Sequence, residues 1–315
     1  LTLASSASYL SREPSMIRPS ALALCAGLGL LAACSGPAGE TQSASTAPTE
    51  PQAATPAERL DKVLAGAHRP EEERARDAYR HPKETLLFFG AEPSMTVVEV
   101  WPGGGWYSNV IAPFLATGGG VYYAAGLDPA SNERNATAVA AFEAKYKSDA
   151  AVYGTVNLTA LSDETIAPDD SADLVLTFRN VHNWMGAGTA EANFAKFYAA
   201  LKPGGVLGVV EHRAPEDAPA GFEGSSGYVK ESTVIALAEG AGFDLEARSE
   251  INANPADTKD HPFGVWTLPP VRRSSEVRGE ETPGFDRAKY DAIGESDRMT
   301  LKFRKPVGAD GPLLE

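Results

Sequence analysis

Thr96-Val97-Val98-Glu99-Val100-Trp101-Pro102-Gly103-Gly104-Gly105-Trp106-Tyr107 joins two kinds of local order. Its first five residues are a short β-branched, apolar run, the mark of a strand buried on both faces in a parallel sheet. A glycine-rich turn follows at once, and then a helical pattern over Ser108–Leu115. Strand, glycine turn and helix in that order form the opening of a nucleoside- or dinucleotide-binding unit. Glycines let the backbone come close to a ligand, and the first helical turn offers N–H groups that have no intrahelical partner.

Outward from this unit the alternation repeats. Strand-like runs lie at 120–125, 151–156, 172–178, 206–211, 243–251 and 299–304, with helical patterns at 130–147, 189–201 and 232–240. Such alternation predicts an α/β, Rossmann-like fold: a seven-stranded, mostly parallel sheet with helices on both faces. Ahead of the first strand, 57–90 reads as an N-terminal helical extension, with Pro70 and Pro82 suited to first turns and Gly90 to a stop. Between the sixth strand and the last lies an insert, 252–297, rich in proline, glycine and charge. Its Asp257, Asp260 and His261 read as a solvated loop in preference to a lid.

The chain has 315 residues and a formal net charge of −14. That acidic balance repels phosphate backbones, so nucleic acid is not expected as a partner, and a small-molecule or protein acceptor fits better. The only two cysteines, Cys25 and Cys34, precede the domain, which therefore holds no disulfide and no thiolate metal site.

The stretch from Met16, MIRPSALALCAGLGLLAACSG, has a lone arginine, a short apolar run and then small residues before a cysteine. That layout predicts a secretory signal over 1–33, with Met16 as its natural start. Leu31-Ala32-Ala33-Cys34 resembles the lipobox of bacterial lipoproteins, which implies lipidation of Cys34. Two or three acyl chains hold a protein stably at a membrane where one does not. Residues 34–56, rich in Ala, Ser, Thr and Pro, read as a disordered tether. The resemblance to lipoproteins implies an extracytoplasmic, periplasm-facing location, and Ser35 rather than Asp after Cys34 implies the outer membrane.

A nicotinamide fingerprint wants G-x-G-x-x-G, and here Gly103 and Gly105 are followed by Ser108, which disfavours an oxidoreductase. ADLVLTFRNVHNW (172–184) and LKPGGVLGVVEH (201–212) stand in order after EVWPGGGWY (99–107). Together they resemble class I S-adenosylmethionine (SAM)-dependent methyltransferases over about residues 70–251. GESDRMTLKF (294–303) is similar to the last strand of a subgroup of predicted methyltransferases, several of them exported. The resemblance implies SAM as cofactor, with Glu99, Gly103 and Gly105 at its methionine end and Trp101 where the first glycine is expected. The ribose-gripping acid falls on Gly126, with Asp128 two residues on as its substitute. Asn157 stands nearest the adenine, and Asn180, with Arg179 and His182, follows the fourth strand beside the sulfonium.

Methyl transfer depends mainly on placement. Where the acceptor must lose a proton, His182 and His212 at the ends of adjacent strands are the candidate catalytic bases. The other reading has them capping strands or bonding to backbone. No metal is expected, because no close ligand spacing supports a site. Trp106, Tyr107 and Trp184 read as pocket wall or plain core. The expected function is methyl transfer to a small-molecule or protein acceptor. The alternative, favoured by Trp101 and Gly126, is a membrane-anchored binding protein of the same shape without transfer.

Overall fold

The computed structural model describes residues 53–308, and the signal segment, Cys34 and most of the tether lie outside them. Four short helices come first: α1 (Pro56–Leu64), α2 (Glu71–Arg74), α3 (Asp77–Arg80) and α4 (Pro82–Phe89). Thr55 and Glu58 form a reciprocal capping box at α1, which satisfies N–H groups that the helix leaves free. The helical pattern read over 70–79 is thus two single turns, broken at Ala75–Arg76.

The alternating part follows. It runs β1 (Thr96–Val100), α5 (Ser108–Ala116), β2 (Val121–Gly126), α6 (Glu133–Lys147), α7 (Ala150–Tyr153) and β3 (Thr155–Ala160). Then come β4 (Ala172–Phe178), α8 (Val181–Ala187), α9 (Ala190–Ala200), β5 (Leu201–His212), α10 (Glu231–Gly240) and β6 (Asp244–Ser249). The insert carries β7 (Pro262–Val265) and α11 (Arg287–Asp291), and β8 (Arg298–Arg304) closes the domain.

Seven strands form one sheet in the order β3-β2-β1-β4-β5-β8-β6. All neighbours are parallel except β8, which lies antiparallel between β5 and β6. The expected Rossmann-like architecture is therefore present. Alternation along β1 divides the core, because successive side chains of a strand point to opposite faces. Val97 packs with Tyr122, Leu176 and Phe114 on one face, while Val98 and Val100 pack with Val175, Leu207 and Phe197 on the other. Glu99 falls on the Val97 side, so the pleat itself drives a carboxyl group into an apolar layer.

Two boundaries differ from the sequence reading. The third strand begins at Thr155, not near Ala151, because Asp149 caps a helical turn over Ala150–Tyr153 and Gly154, at φ +64°, breaks it. The fifth strand reaches back to Leu201 through the Lys202–Gly205 turn, with Leu201 paired to Ala172. The insert is no solvated loop at two of its three polar residues. Asp257 and His261 are buried, His261 Nε2 lies 2.8 Å from Asp257 Oδ1, and the Tyr228 hydroxyl and the Asp297 N–H both donate to Asp257. Only Asp260 of the three is exposed. No helix among the described residues is long and apolar enough to cross a membrane.

Candidate functional site

The order in which successive strands are laid down reverses between the parallel neighbours β1 and β4, and in open α/β sheets ligands bind beyond the carboxyl ends of the strands at such a switch point. Two adjoining hollows lie there. The first, about 550 Å³, is bounded by the turn after β1, by Gly126–Asp128 after β2, by Thr159, Ala160 and Asp163 around the end of β3, and by α6 residues such as Phe142. The second, about 410 Å³, lies between that turn, Phe178–Asn180 after β4, and the N-terminal helices. Trp101, Pro102, Gly103 and Asn180 border both. Each volume falls within the roughly 300–1,000 Å³ of small-molecule clefts.

The turn is built by left-handed backbone. Gly103 has φ +59° and Gly105 φ +84°, as a glycine turn requires, but Trp101 also has φ +47°. Trp101 thus holds a backbone conformation that favours glycine, kept by its N–H to the Ala125 carbonyl at 2.9 Å and by edge-on packing against Trp184. Arg179 is the second non-glycine residue of the site in this region, at φ +64°. Strained residues of this kind persist only where the surroundings over-determine them, and they cluster at functional sites.

Glu99 borders the second hollow and is 2% exposed. The Tyr122 hydroxyl donates to its Oε2 at 2.5 Å and the Ser108 hydroxyl at 2.8 Å. Burial pushes the carboxyl up from 4.5 to about 7, against the opposing pull of those two hydroxyls and Arg179. The folded state therefore retains a proton that the unfolded chain releases, and stability from this group falls as pH rises from about 4.5 to 7. Above pH 7 the buried charge costs up to about 3 kcal/mol. Glu99→Gln should accordingly raise the unfolding free energy at pH 8 and change it little at pH 4. Denaturant titrations at the two pH values check this, and a Gln variant less stable at pH 8 would contradict it.

The other expected residues divide. Gly103, Asp128 and Asn180 border the first hollow, and Asn180 Nδ2 donates to the Val100 carbonyl at 2.9 Å, which ties the two strand ends together. Gly105 borders neither hollow. Its carbonyl lies 2.9 Å from the buried Tyr146 hydroxyl, and a Cβ there would meet that hydroxyl at 2.1 Å. Asn157 sits inside β3, paired with Tyr123, away from the cleft. Asp163, three residues beyond the strand end, borders the cleft instead, and its Oδ2 accepts the Ala160 N–H at 2.8 Å. Trp106 and Tyr107 wall the second hollow, whereas Trp184 is core.

His182 and His212 border neither hollow. They lie side by side with ring centroids 5.5 Å apart, and His182 Nδ1 faces Glu211 Oε1 at 3.1 Å. His212 Nδ1 meets the Ser296 hydroxyl at 2.5 Å. Burial, with His182 and then Arg298, Arg179 and Arg80, depresses the His212 pKa well below its usual value. Contrary to the sequence reading, a close ligand grouping does exist: His182, Glu211 and His212 offer atoms within 4.8 Å of one another. The Glu211 oxygens are already engaged, Oε2 by the Val181 N–H at 2.6 Å and Oε1 by the His212 N–H at 2.8 Å. With three arginines pressing the same way on His212, the cluster reads as a hydrogen-bonded brace for Arg179–Asn180 and the start of α8.

The residues that sequence reasoning missed come from the N-terminal helices. Trp106 Nε1 donates to the Glu73 carbonyl and the Tyr107 hydroxyl to the Arg80 carbonyl, both at 3.1 Å, so the glycine turn pins α2 and α3 in place. Arg80 in turn lies 4.5 Å over the Trp106 ring. Glu73, Arg76 and Arg80 thereby become part of the wall of the second hollow.

No family model matches the chain, and no curated protein matches it. Solved structures similar to it include a SAM-dependent methyltransferase from Aquifex aeolicus, at 18% identity over 61% of this chain and 93% of that one, with a TM-score of 0.42. A putative methyltransferase from Bacillus halodurans is similar at 18% identity, over 72% of this chain and 99% of that one, with a TM-score of 0.45. A putative sarcosine dimethylglycine methyltransferase from Galdieria sulphuraria is similar at 14% identity, over 75% and 87%, with a TM-score of 0.46. The likeness in each case is one of fold.

Proposed function

We propose that this chain is a SAM-dependent methyltransferase that holds the nucleoside of its cofactor in the first hollow, with the cofactor's ammonium reaching Glu99 at the edge of the second, where the acceptor binds. One observation carries the reading. A left-handed turn after β1 lies between an acid-flanked, partly apolar cleft and a buried carboxyl group that titrates near neutrality. The residues fit a nucleoside with an amino-acid tail. Asp128 accepts from the Ala130 N–H and the Ser131 hydroxyl, and its carboxylate keeps further lone pairs for ribose hydroxyls. Phe142, Leu158 and Ala160 offer an apolar face for a purine, and Asp163 takes the adenine role expected of Asn157.

Bound SAM would supply an electrophilic methyl group on a sulfonium, with a neutral thioether as its leaving group. The protein's part is positioning. Glu99, at the edge of the second hollow, would receive the ligand ammonium, which favours its charged form, and Gly103 and Asn180 stand where the two hollows meet. His182, Glu211 and His212 hold the Arg179–Asn180 loop. Thermal unfolding tests the class: SAM and S-adenosylhomocysteine should raise the midpoint with ligand concentration, as a native-state ligand must, and NADH should not. A rise with NADH and none with SAM would overturn the assignment. The rival, a binding protein without transfer, rests on the indole of Trp101 at the turn. It predicts the same shift with no methyl lost from SAM over any acceptor.

We propose further that Cys34 anchors the chain to an extracytoplasmic membrane face. Cys34→Ala should move the protein from the membrane fraction to the soluble one, and retention at the membrane would contradict the anchor.

A further inference from the structure

Four guanidinium groups surround one carboxylate beside the second hollow. Glu295, 3% exposed, accepts from Arg76 Nε at 2.7 Å, from Arg80 Nε at 3.0 Å and from Arg298 Nη2, while Arg179 Nη1 stands off at 4.0 Å. Burial raises the Glu295 carboxyl, but Arg298, Arg80, Arg179 and Arg76 outweigh it and hold it at about 2. The remaining acids near the hollow do not complete the balance. Glu73 bonds through both oxygens to Asn109 Nδ2, and Glu99 is half-protonated near neutrality. Positive charge is left over, in a chain whose net charge is −14.

Donors are left over as well. Arg76 Nη2 and Arg298 Nε are buried without a hydrogen-bond partner. Arg179 borders the hollow, and its guanidinium makes no hydrogen bond among the described residues, although its backbone is held in the strained left-handed region. A buried guanidinium group without an acceptor is costly, and its planar fork fits a carboxylate or phosphate. The walls beside it are flat and apolar: Tyr107 stacks on Phe178 with centroids 3.5 Å apart, and Pro270 of the insert closes another side.

We infer that the second hollow is an anion pocket that grips a small acceptor by a carboxylate or phosphate group, with Arg179 as its primary ligand and Arg76 and Arg80 in support. The inference narrows the acceptor of the proposed methyl transfer and rests on that reading for the word acceptor, though the anion site itself does not. One alternative source of the same chemistry is the carboxylate of the cofactor's own methionine end.

Titration of the full chain in detergent with inorganic phosphate, at low ionic strength, tests this. Saturable binding is expected, weakened at least tenfold by Arg179→Gln, which breaks no hydrogen bond of the fold. Arg76→Gln should weaken it as well. Saturating S-adenosylhomocysteine should leave phosphate binding intact. If S-adenosylhomocysteine displaces phosphate while 5′-methylthioadenosine, which lacks the carboxylate, does not, the arginines serve the cofactor and the acceptor assignment is overturned. Absence of phosphate binding by the folded protein, or equal affinity in Arg179→Gln, overturns the site itself. Failure of S-adenosylhomocysteine to bind, with phosphate still bound through Arg179, sinks the methyltransferase reading and leaves the anion site standing.

Discussion

Glu295→Gln is expected to destabilise the domain by roughly 3–5 kcal/mol, the usual cost of removing one partner from a buried ion pair. The reason is the company that Glu295 keeps. Arg80 and Arg298 are 3% and 2% exposed, and both lose their counter-charge in the variant. Glutamine preserves the shape and one acceptor, so the loss reports charge and not volume. For a domain of this size that is a fall in the unfolding midpoint on the order of 10 °C. The pH dependence has a definite sign. Because the folded-state pKa lies near 2, below the ordinary 4.5, this group contributes stability that is complete above about pH 5 and lost as pH falls toward 2. Unfolding of wild type and variant by urea between pH 3 and 7 checks both points, with the gap between them closing at low pH. A loss below about 1 kcal/mol at pH 7 would show the arginines to be adequately solvated without Glu295.

Gly126→Trp is expected to abolish cofactor binding while leaving the fold intact. Gly126 ends β2 on the border of the first hollow, and a Cβ there would meet nothing nearer than the Thr159 carbonyl at 3.9 Å. The indole therefore enters the hollow itself. A surface-type substitution of this kind changes stability by about 0.5 kcal/mol or less, whereas the ligand loses its space outright. Affinity for S-adenosylhomocysteine should drop at least a hundredfold, read by fluorescence or calorimetry beside an unchanged circular dichroism spectrum. Wild-type affinity in the folded variant would place the cofactor elsewhere.

The legible parts of this fold were those in which local and global signals agree. Val97–Val100, the glycine turn and the helix from Ser108 announce one another in sequence, and the fourth and fifth strands are apolar runs buried on both faces. Third-strand placement failed because Ala151–Tyr153 has strand-forming residues, but Asp149 supplies a helix cap and Gly154 a break. That offset of four residues puts Asn157 inside the strand, while Asp163, beyond the strand's end, borders the cleft. The anion pocket was illegible for a different reason. Its arginines come from α3, the residue before it and the loop after β4, and Glu295, the carboxylate they gather around, lies more than two hundred positions beyond the first of them. Each, seen alone, resembles a solvated charge in an acidic protein. Nothing in a side chain announces that Trp101 and Arg179 adopt a glycine-like backbone, since tertiary contacts impose it. Arg179 was nonetheless marked by its place just after the fourth strand, where ligands of open sheets bind.

A SAM site in the hollow at the ends of β1, β2 and β3 must also bind the demethylated cofactor. Calorimetric titration of the purified chain with S-adenosylhomocysteine tests it most directly. Saturable one-site binding in the micromolar range is expected, weakened by Glu99→Ala and absent in Gly126→Trp. No heat of binding from a folded sample at millimolar ligand would contradict it.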